Sequence, residues 1–223
     1  MEKKILTKEQ LSSIYSYLIE SRVRYVDVVF ETLDHIACDI EMQMNSDVIS
    51  FEEAFDVSKK KWRTSLKPSN SFWIGVINTR PKIEIETCVR VYKDIFKKMF
   101  LLLILIPVFL LKINNFEMPF SGKWLCYFSN FLIMSGLGII AYIFIKMILT
   151  KLKTSFSFIF YTQIFPIILI IGSMYLPYYD FYKVFEKIDI ILILAELLNI
   201  VYVLMAIKLY KQHKQALKRY TSI

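Results

Sequence analysis

One of the chain's two histidines, His35, stands in the run ETLDHIACDIE (residues 31–41), among four acids and a cysteine. On a helix, Glu31, Asp34, His35, Cys38 and Asp39 recur at i+3 and i+4 spacings and share a face. That combination suits three kinds of chemistry: metal ligation, a hydrogen-bonded structural cluster, or recognition of a partner. Zinc takes His, Cys and carboxylate ligands, but one helix supplies only two or three in usable geometry. The only other imidazole, His213, lies near the C-terminus. The expectation is therefore no metal site, with Glu31, Asp34, His35 and Asp39 forming a structural or partner-binding face.

A second group lies in far more apolar sequence. Glu196 sits within ILILAELLNIVYVL, where an ionised carboxylate would be costly in lipid and is a functional hypothesis by default. At about 1.5 Å per helical residue, Asn199, Gln163 and Ser135 fall at a similar depth in their own apolar segments. The four could form an intramembrane polar layer, acting as hydrogen-bond adhesion between helices or lining a substrate path. The small residues of Ser135-Gly136-x-Gly138 and Gly172-Ser173 suit close helix packing by the same logic.

The elements that must carry these residues follow from composition. Of 223 residues, 56% are hydrophobic and 16% aromatic, which excludes an ordinary soluble domain and indicates an integral membrane protein. The first 98 residues carry 16 Lys/Arg and 15 Asp/Glu; the remaining 125 carry 12 and 5. Four apolar segments approach the ~20 residues that a spanning helix needs: 95–113, 124–149, 155–176 and 188–208. The first requires lysines snorkelling at its ends and contains Pro107, a candidate kink. Lysines and arginines concentrate before the first segment (Arg90, Lys93, Lys97, Lys98), between the second and third (Lys146, Lys151, Lys153) and in the tail (Lys208, Lys211, Lys214, Lys218, Arg219). The positive-inside rule then puts both termini in the cytoplasm. The polar N-terminus lacks the apolar core of a secretory signal, consistent with its staying on the side where it is made. Cys38 and Cys88 fall in the polar half, as a reducing cytosol allows. Neither GxGxxG, Walker A, HExxH, CxxC nor GxSxG occurs, so no catalytic residue, cofactor or enzyme activity is expected.

The polar half reads as three amphipathic helices. Thr7 and Gln10 make a capping box, followed by Leu11, Ile14, Tyr15, Leu18 and Ile19 at helical spacing. A second helix over 25–44 has the apolar stripe Val29, Leu33, Ile36, Ala37 and Ile40. Ser50 caps a third with Glu53 as its box partner, burying Phe51, Ala54, Phe55, Val57, Ser58 and Trp62. Residues 67–82 are turn-rich and are expected along the membrane surface, where Phe72 and Trp73 could enter the headgroups. Pro81 reads as a first-turn proline opening a helix that runs into the first span.

The pattern LTKEQLSSIYSYL … YVDVVFETLDHIACDIEMQM … SFEEAF … W resembles the N-terminal domain of uncharacterised membrane proteins of Bacteroidetes-type bacteria. It is also similar to the helical HAAS-type domains that precede membrane spans in bacterial signalling proteins. The residues that carry the likeness are Tyr17-Leu18, Glu31/His35/Glu41 and Ser50-Phe51-Glu52-Glu53-Ala54, over about residues 5–65; residues 45–49 stand where that pattern has a glycine. The resemblance implies a regulatory or interaction role at a bacterial inner membrane, often beside PadR-type repressors, and supplies no catalytic residues.

The resulting expectation is an all-α protein: a small cytosolic three-helix domain (1–66), a surface loop and juxtamembrane helix (67–94), a four-helix transmembrane bundle (95–210) and a basic cytosolic tail (211–223). The function expected is a membrane-anchored regulatory or scaffold protein whose cytosolic domain binds a partner protein or self-associates. The alternative is a small transporter or permease subunit using the layer around Glu196. Membrane lipid is an expected contact. The tail is read as a positive-inside helix extension, and nucleic acid is not an expected partner.

Overall fold

The computed structural model describes residues 5–46, 48–112, 122–164 and 190–221. Those residues are mostly helical, with seven α-helices and one two-residue strand pair. They divide into two compact units.

The first unit draws on residues 1–90, 152–158 and 213–223. Helix α1 (Lys8–Glu20) opens with the Thr7 capping box, Thr7 Oγ1 accepting from the Gln10 amide at 3.3 Å while the Gln10 side chain accepts from the Thr7 N–H at 2.9 Å. It closes in a Schellman turn, the Val23 N–H reaching Leu18 O and the Arg22 N–H reaching Ile19 O. Arg22 occupies the left-handed position (φ +65°) that usually falls to glycine. Helix α2 (Val26–Ser46) and helix α3 (Phe51–Trp62), the latter boxed by Ser50 and Glu53, complete the three-helix set. Its core is Ile14, Leu18, Val29, Ile36, Ile40, Ala54 and Phe55. The stripes are narrower than the spacing suggests: Tyr15, Ile19 and Val57 are exposed, because a helix in a three-helix cluster presents only the residues that face its two neighbours.

Strands β1 (Pro68–Ser69) and β2 (Arg80–Pro81) pair antiparallel and pinch off the loop between them, which contains one 3-10 turn (Phe72–Ile74). Helix α4 (Lys82–Lys112) follows directly, so Pro81 stands just outside the helix rather than in its first turn, and the helix continues through Pro107.

The second unit draws on residues 91–151 and 159–212. Helix α5 (Gly122–Ile148) includes Asn130–Ile148, the one stretch among the described residues long and apolar enough to cross a membrane. Only 28% of it is buried; Phe131, Met134, Ile139, Tyr142, Ile145 and Ile148 face outward. Helix α6 (Ser155–Ile159) passes into a π turn (Phe160–Ile164), and helix α7 spans Ile190–Thr221. Of the expected spans, 155–176 and 188–208 lie partly outside the described residues, as does the end of 95–113. Helices α4, α6 and α7 each contribute residues to both units.

Candidate functional site

Helix α2 separates the residues of ETLDHIACDIE cleanly. Thr32, Ile36, Ala37 and Ile40 are buried, while Glu31, Asp34, His35 and Cys38 are exposed. Asp39 is tied to α3: its Oδ2 accepts from Lys61 Nζ at 2.6 Å and from Trp62 Nε1 at 3.4 Å. Glu41 reaches back to accept the Leu6 N–H at 3.1 Å. The exposed face thus has Glu31, Asp34 and His35 at its centre and Asp39 at its rim. No group of three or more His, Cys, Asp or Glu among the described residues is arranged to hold a metal ion.

In the second unit, two members of the polar layer converge on one backbone oxygen. Ser135 Oγ donates to Leu132 O at 2.9 Å, and Asn199 Nδ2, from α7, donates to the same oxygen at 3.2 Å. Asn199 is buried against Gly136, where a Cβ would come within 2.5 Å of its Nδ2 and 2.9 Å of its Cγ. Gly136 is therefore needed for this approach, as small-residue packing requires. Glu196 and Gln163 are half-buried, Gln163 within the π turn, and neither belongs to that arrangement.

The densest buried polar chemistry lies elsewhere, in the first unit. Asp27, in the first turn of α2, is buried and accepts from both the backbone N–H (2.9 Å) and the hydroxyl of Ser155, 128 residues along the chain. Beside it the Val26 N–H donates to Lys153 O at 3.0 Å, and the Tyr25 ring lies 5.3 Å from that of Phe158. Ser155 begins α6, so Asp27 accepts one of the orphan N–H groups of that helix N-terminus. Thr154 and Ser157 handle others: the Ser157 N–H donates to Thr154 Oγ1 at 3.2 Å, and the Thr154 N–H to Ser157 Oγ at 3.1 Å. The Thr154 hydroxyl, whose oxygen accepts from Ser157, also shares a hydrogen bond with His213 Nδ1, 2.8 Å away. The imidazole is buried there. Lower down, Glu84 Oε1 accepts from the Arg24 N–H (2.5 Å) and the Tyr25 N–H (2.9 Å), anchoring the α1–α2 turn to the start of α4.

Burial sets the electrostatics here. It pushes the carboxyls of Asp27 and Glu84 up, against the hydrogen bonds that lower them, with Arg80 also lowering Glu84. It raises the Tyr25 phenol and holds the Cys88 thiol far above its ordinary value, the carboxylates Asp27 and Glu84 adding to the effect. It pushes His213 down. Cys88 is therefore an inert thiol. Glu84 Oε2 and Tyr25 Oη are buried with no hydrogen-bond partner. The arrangement joins four distant pieces of chain and contains no activated nucleophile.

The spacing of ETLDHIACDIE does not point to these residues, but their own flanking sequence carries a signal. Asp27 is bracketed by Val26 and Val28, and Glu84 by Ile83 and Ile85. Asp27, a single acid inside an apolar run at a helix start, has the pattern of a buried acceptor for backbone donors; Glu84, with Glu86 two residues on, shows it less clearly. Thr154-Ser155-x-Ser157 is likewise a helix-start signature.

No family profile, curated protein or solved structure matches this chain.

Proposed function

We propose that the chain is a multi-pass, membrane-anchored regulatory or scaffold protein of a bacterial inner membrane. Its N-terminal helical domain binds a partner protein, or a second copy, through the α2 face of Glu31, Asp34 and His35, with Asp39 at the rim. The observation that carries this reading is the division of α2 beyond its first two turns: a buried side of Ile36, Ala37, Ile40 and Met44, and an opposite side on which acids, a histidine and the large apolar Met42 all stand exposed. Protein interfaces set a polar rim around their apolar contacts, and this side of α2 offers polar groups beside Met42. The HAAS-like resemblance points the same way.

The membrane part of the reading is four spans with both termini cytoplasmic. It is supported by the outward apolar side of Asn130–Ile148. It is also supported by the first unit's composition, since the N-terminal helices, residues 152–158 and the end of α7 belong to one unit. Segments sharing a water-facing unit are separated by an even number of crossings, which is what the lysine distribution requires. The permease reading of Glu196, Asn199, Gln163 and Ser135 is the weaker of the two. Asn199, from α7, donates to the Leu132 carbonyl of α5, which favours adhesion between helices, while the Ser135 bond to the same oxygen stays within α5.

The test is capture of partners by the full-length protein in mild detergent, compared with an Asp34→Ala, His35→Ala variant. Both side chains are exposed, so the variant is expected to fold. Loss of one specific partner, or of self-association, in the variant supports the reading. Identical recovery by both proteins refutes it.

A further inference from the structure

We infer that the loop between β1 and β2 is a membrane-docking wedge that seats in the interface of an anionic lipid bilayer. This surface is separate from the α2 face and does not rest on it. The argument begins with exposure: Phe72 is 87% and Ile77 93% accessible, with Val76 at 58% and Trp73 at 42%. Four large apolar side chains on a ten-residue connection are an exposed patch that wants a cover.

The loop is also built to hold them out. Ile74 is fully buried and pins the middle of the connection. The Ser71 hydroxyl accepts from the Trp73 N–H at 3.3 Å, starting the 3-10 turn. Gly75 takes φ +85°, a conformation open to glycine, and with it the chain reverses. Asn78 then locks the reversal, its Nδ2 donating to Ile74 O at 2.7 Å and its N–H to Gly75 O at 3.0 Å. A wedge fixed before it meets its target loses little freedom on docking.

Charge selects the occupant. From Lys67 to Ile83 the chain carries Lys67, Arg80 and Lys82 and not one acid. Lys67 and Lys82 flank the strand pair and Arg80 lies within β2, so the cations stand at the base of the loop, where Lys82 also pairs with Glu86 at 3.7 Å, and the apolar side chains stand at its tip. Apolar and Trp side chains ahead, with Lys and Arg behind, is the order that an interfacial anchor presents to acyl chains and anionic headgroups. A protein groove would accept the apolar tip equally well but gives no reason for a run from Lys67 to Ile83 that carries three cations and no acid.

The experiment uses the full chain with Trp62→Phe and Trp124→Phe, leaving Trp73 as the single tryptophan, in lipid nanodiscs. Discs of phosphatidylcholine alone are compared with discs containing phosphatidylglycerol, each with and without lipids brominated high on their acyl chains. The expected result is quenching of Trp73 by the brominated lipids, stronger with phosphatidylglycerol. Adding Phe72→Asp and Ile77→Asp should return the emission to its level in unbrominated discs. Both positions are exposed, so circular dichroism should be unchanged. Three results would overturn the proposal: no quenching in either disc, quenching indifferent to phosphatidylglycerol, or quenching that survives both aspartates. A Trp73 environment that changes only with protein concentration would assign the loop to a second copy instead. All variants keep Glu31, Asp34 and His35, so partner capture and lipid docking succeed or fail independently.

Discussion

Asp27 and Asp34 lie two turns apart on one helix and have little else in common. Asp34 is exposed on the α2 face, whereas Asp27 is buried and accepts two hydrogen bonds from Ser155. The chain's two histidines divide the same way: His35 is exposed, and His213 is buried against Thr154. Side chains that look alike in a sequence take on opposite duties when a remote segment covers one of them. The exposed pair remains available for recognition, while the buried pair is committed to holding the first unit together.

The strongest challenge to that division is Asp27→Ala. It leaves the Ser155 N–H and hydroxyl buried without an acceptor, and the expected loss is about 2–4 kcal/mol of unfolding free energy. Asp34→Ala should stay within about 0.5 kcal/mol of the parent. Denaturant titration in detergent followed by circular dichroism reads both; equal effects would abolish the distinction. Next in size is Gly136→Ala in the second unit, which drives a methyl into Asn199 and should cost about 1–3 kcal/mol. Combining it with Asn199→Ala should cost less than the sum of the two single changes.

The histidines sharpen the comparison through pH. Because burial lowers the pKa of His213 below the ordinary 6.5, the unfolded chain takes up that proton first. Its contribution to stability is complete above that value and is lost as the pH falls through the folded value. The raised carboxyls of Asp27 and Glu84 act in the opposite sense: their contribution is fully present below their ordinary values of 3.8 and 4.5 and is lost as pH rises through the folded ones. Replacing His213 with Asn, which keeps an acceptor for Thr154, should remove an acid-side loss from the stability profile recorded between about pH 8 and pH 5. An unchanged profile would mean that His213 is not the group responsible. The smallest effect expected is that of Lys61→Ala, which breaks the largely exposed pair with Asp39 and should cost only a few tenths of a kcal/mol, roughly.

How far these features were legible beforehand differs between the two regions. Local chemistry was readable: Thr7/Gln10 and Ser50/Glu53 announce their helices, and the alternation of Ile36, Ala37 and Ile40 with Asp34, His35 and Cys38 predicts which side of α2 turns outward. The position of Asn199 beside Gly136 was half readable, since small residues and intramembrane amides both mark close helix contacts. The union of Asp27 with Ser155 was not readable. A hydrogen bond spanning 128 residues leaves no periodicity in the chain, and hydroxyls at a helix start reveal a cap but not its distant acceptor. Tyr15 and Ile19 fit the apolar stripe of α1, yet spacing alone cannot say how wide a strip the neighbouring helices will cover.

The bond between Asp27 and Ser155 also has a consequence in time. The N-terminal helices leave the ribosome long before Ser155 is made, and at about 5–20 residues per second Asp27 waits roughly 6–25 s for its donor. His213 arrives later still, so Thr154 lacks its imidazole until 59 further residues have been made. During that interval the nascent N-terminal helices hold an uncovered acid where the completed protein has a buried one. A chaperone or insertion factor working on this chain would meet Asp27 as a surface residue until Ser155 is in place to cover it.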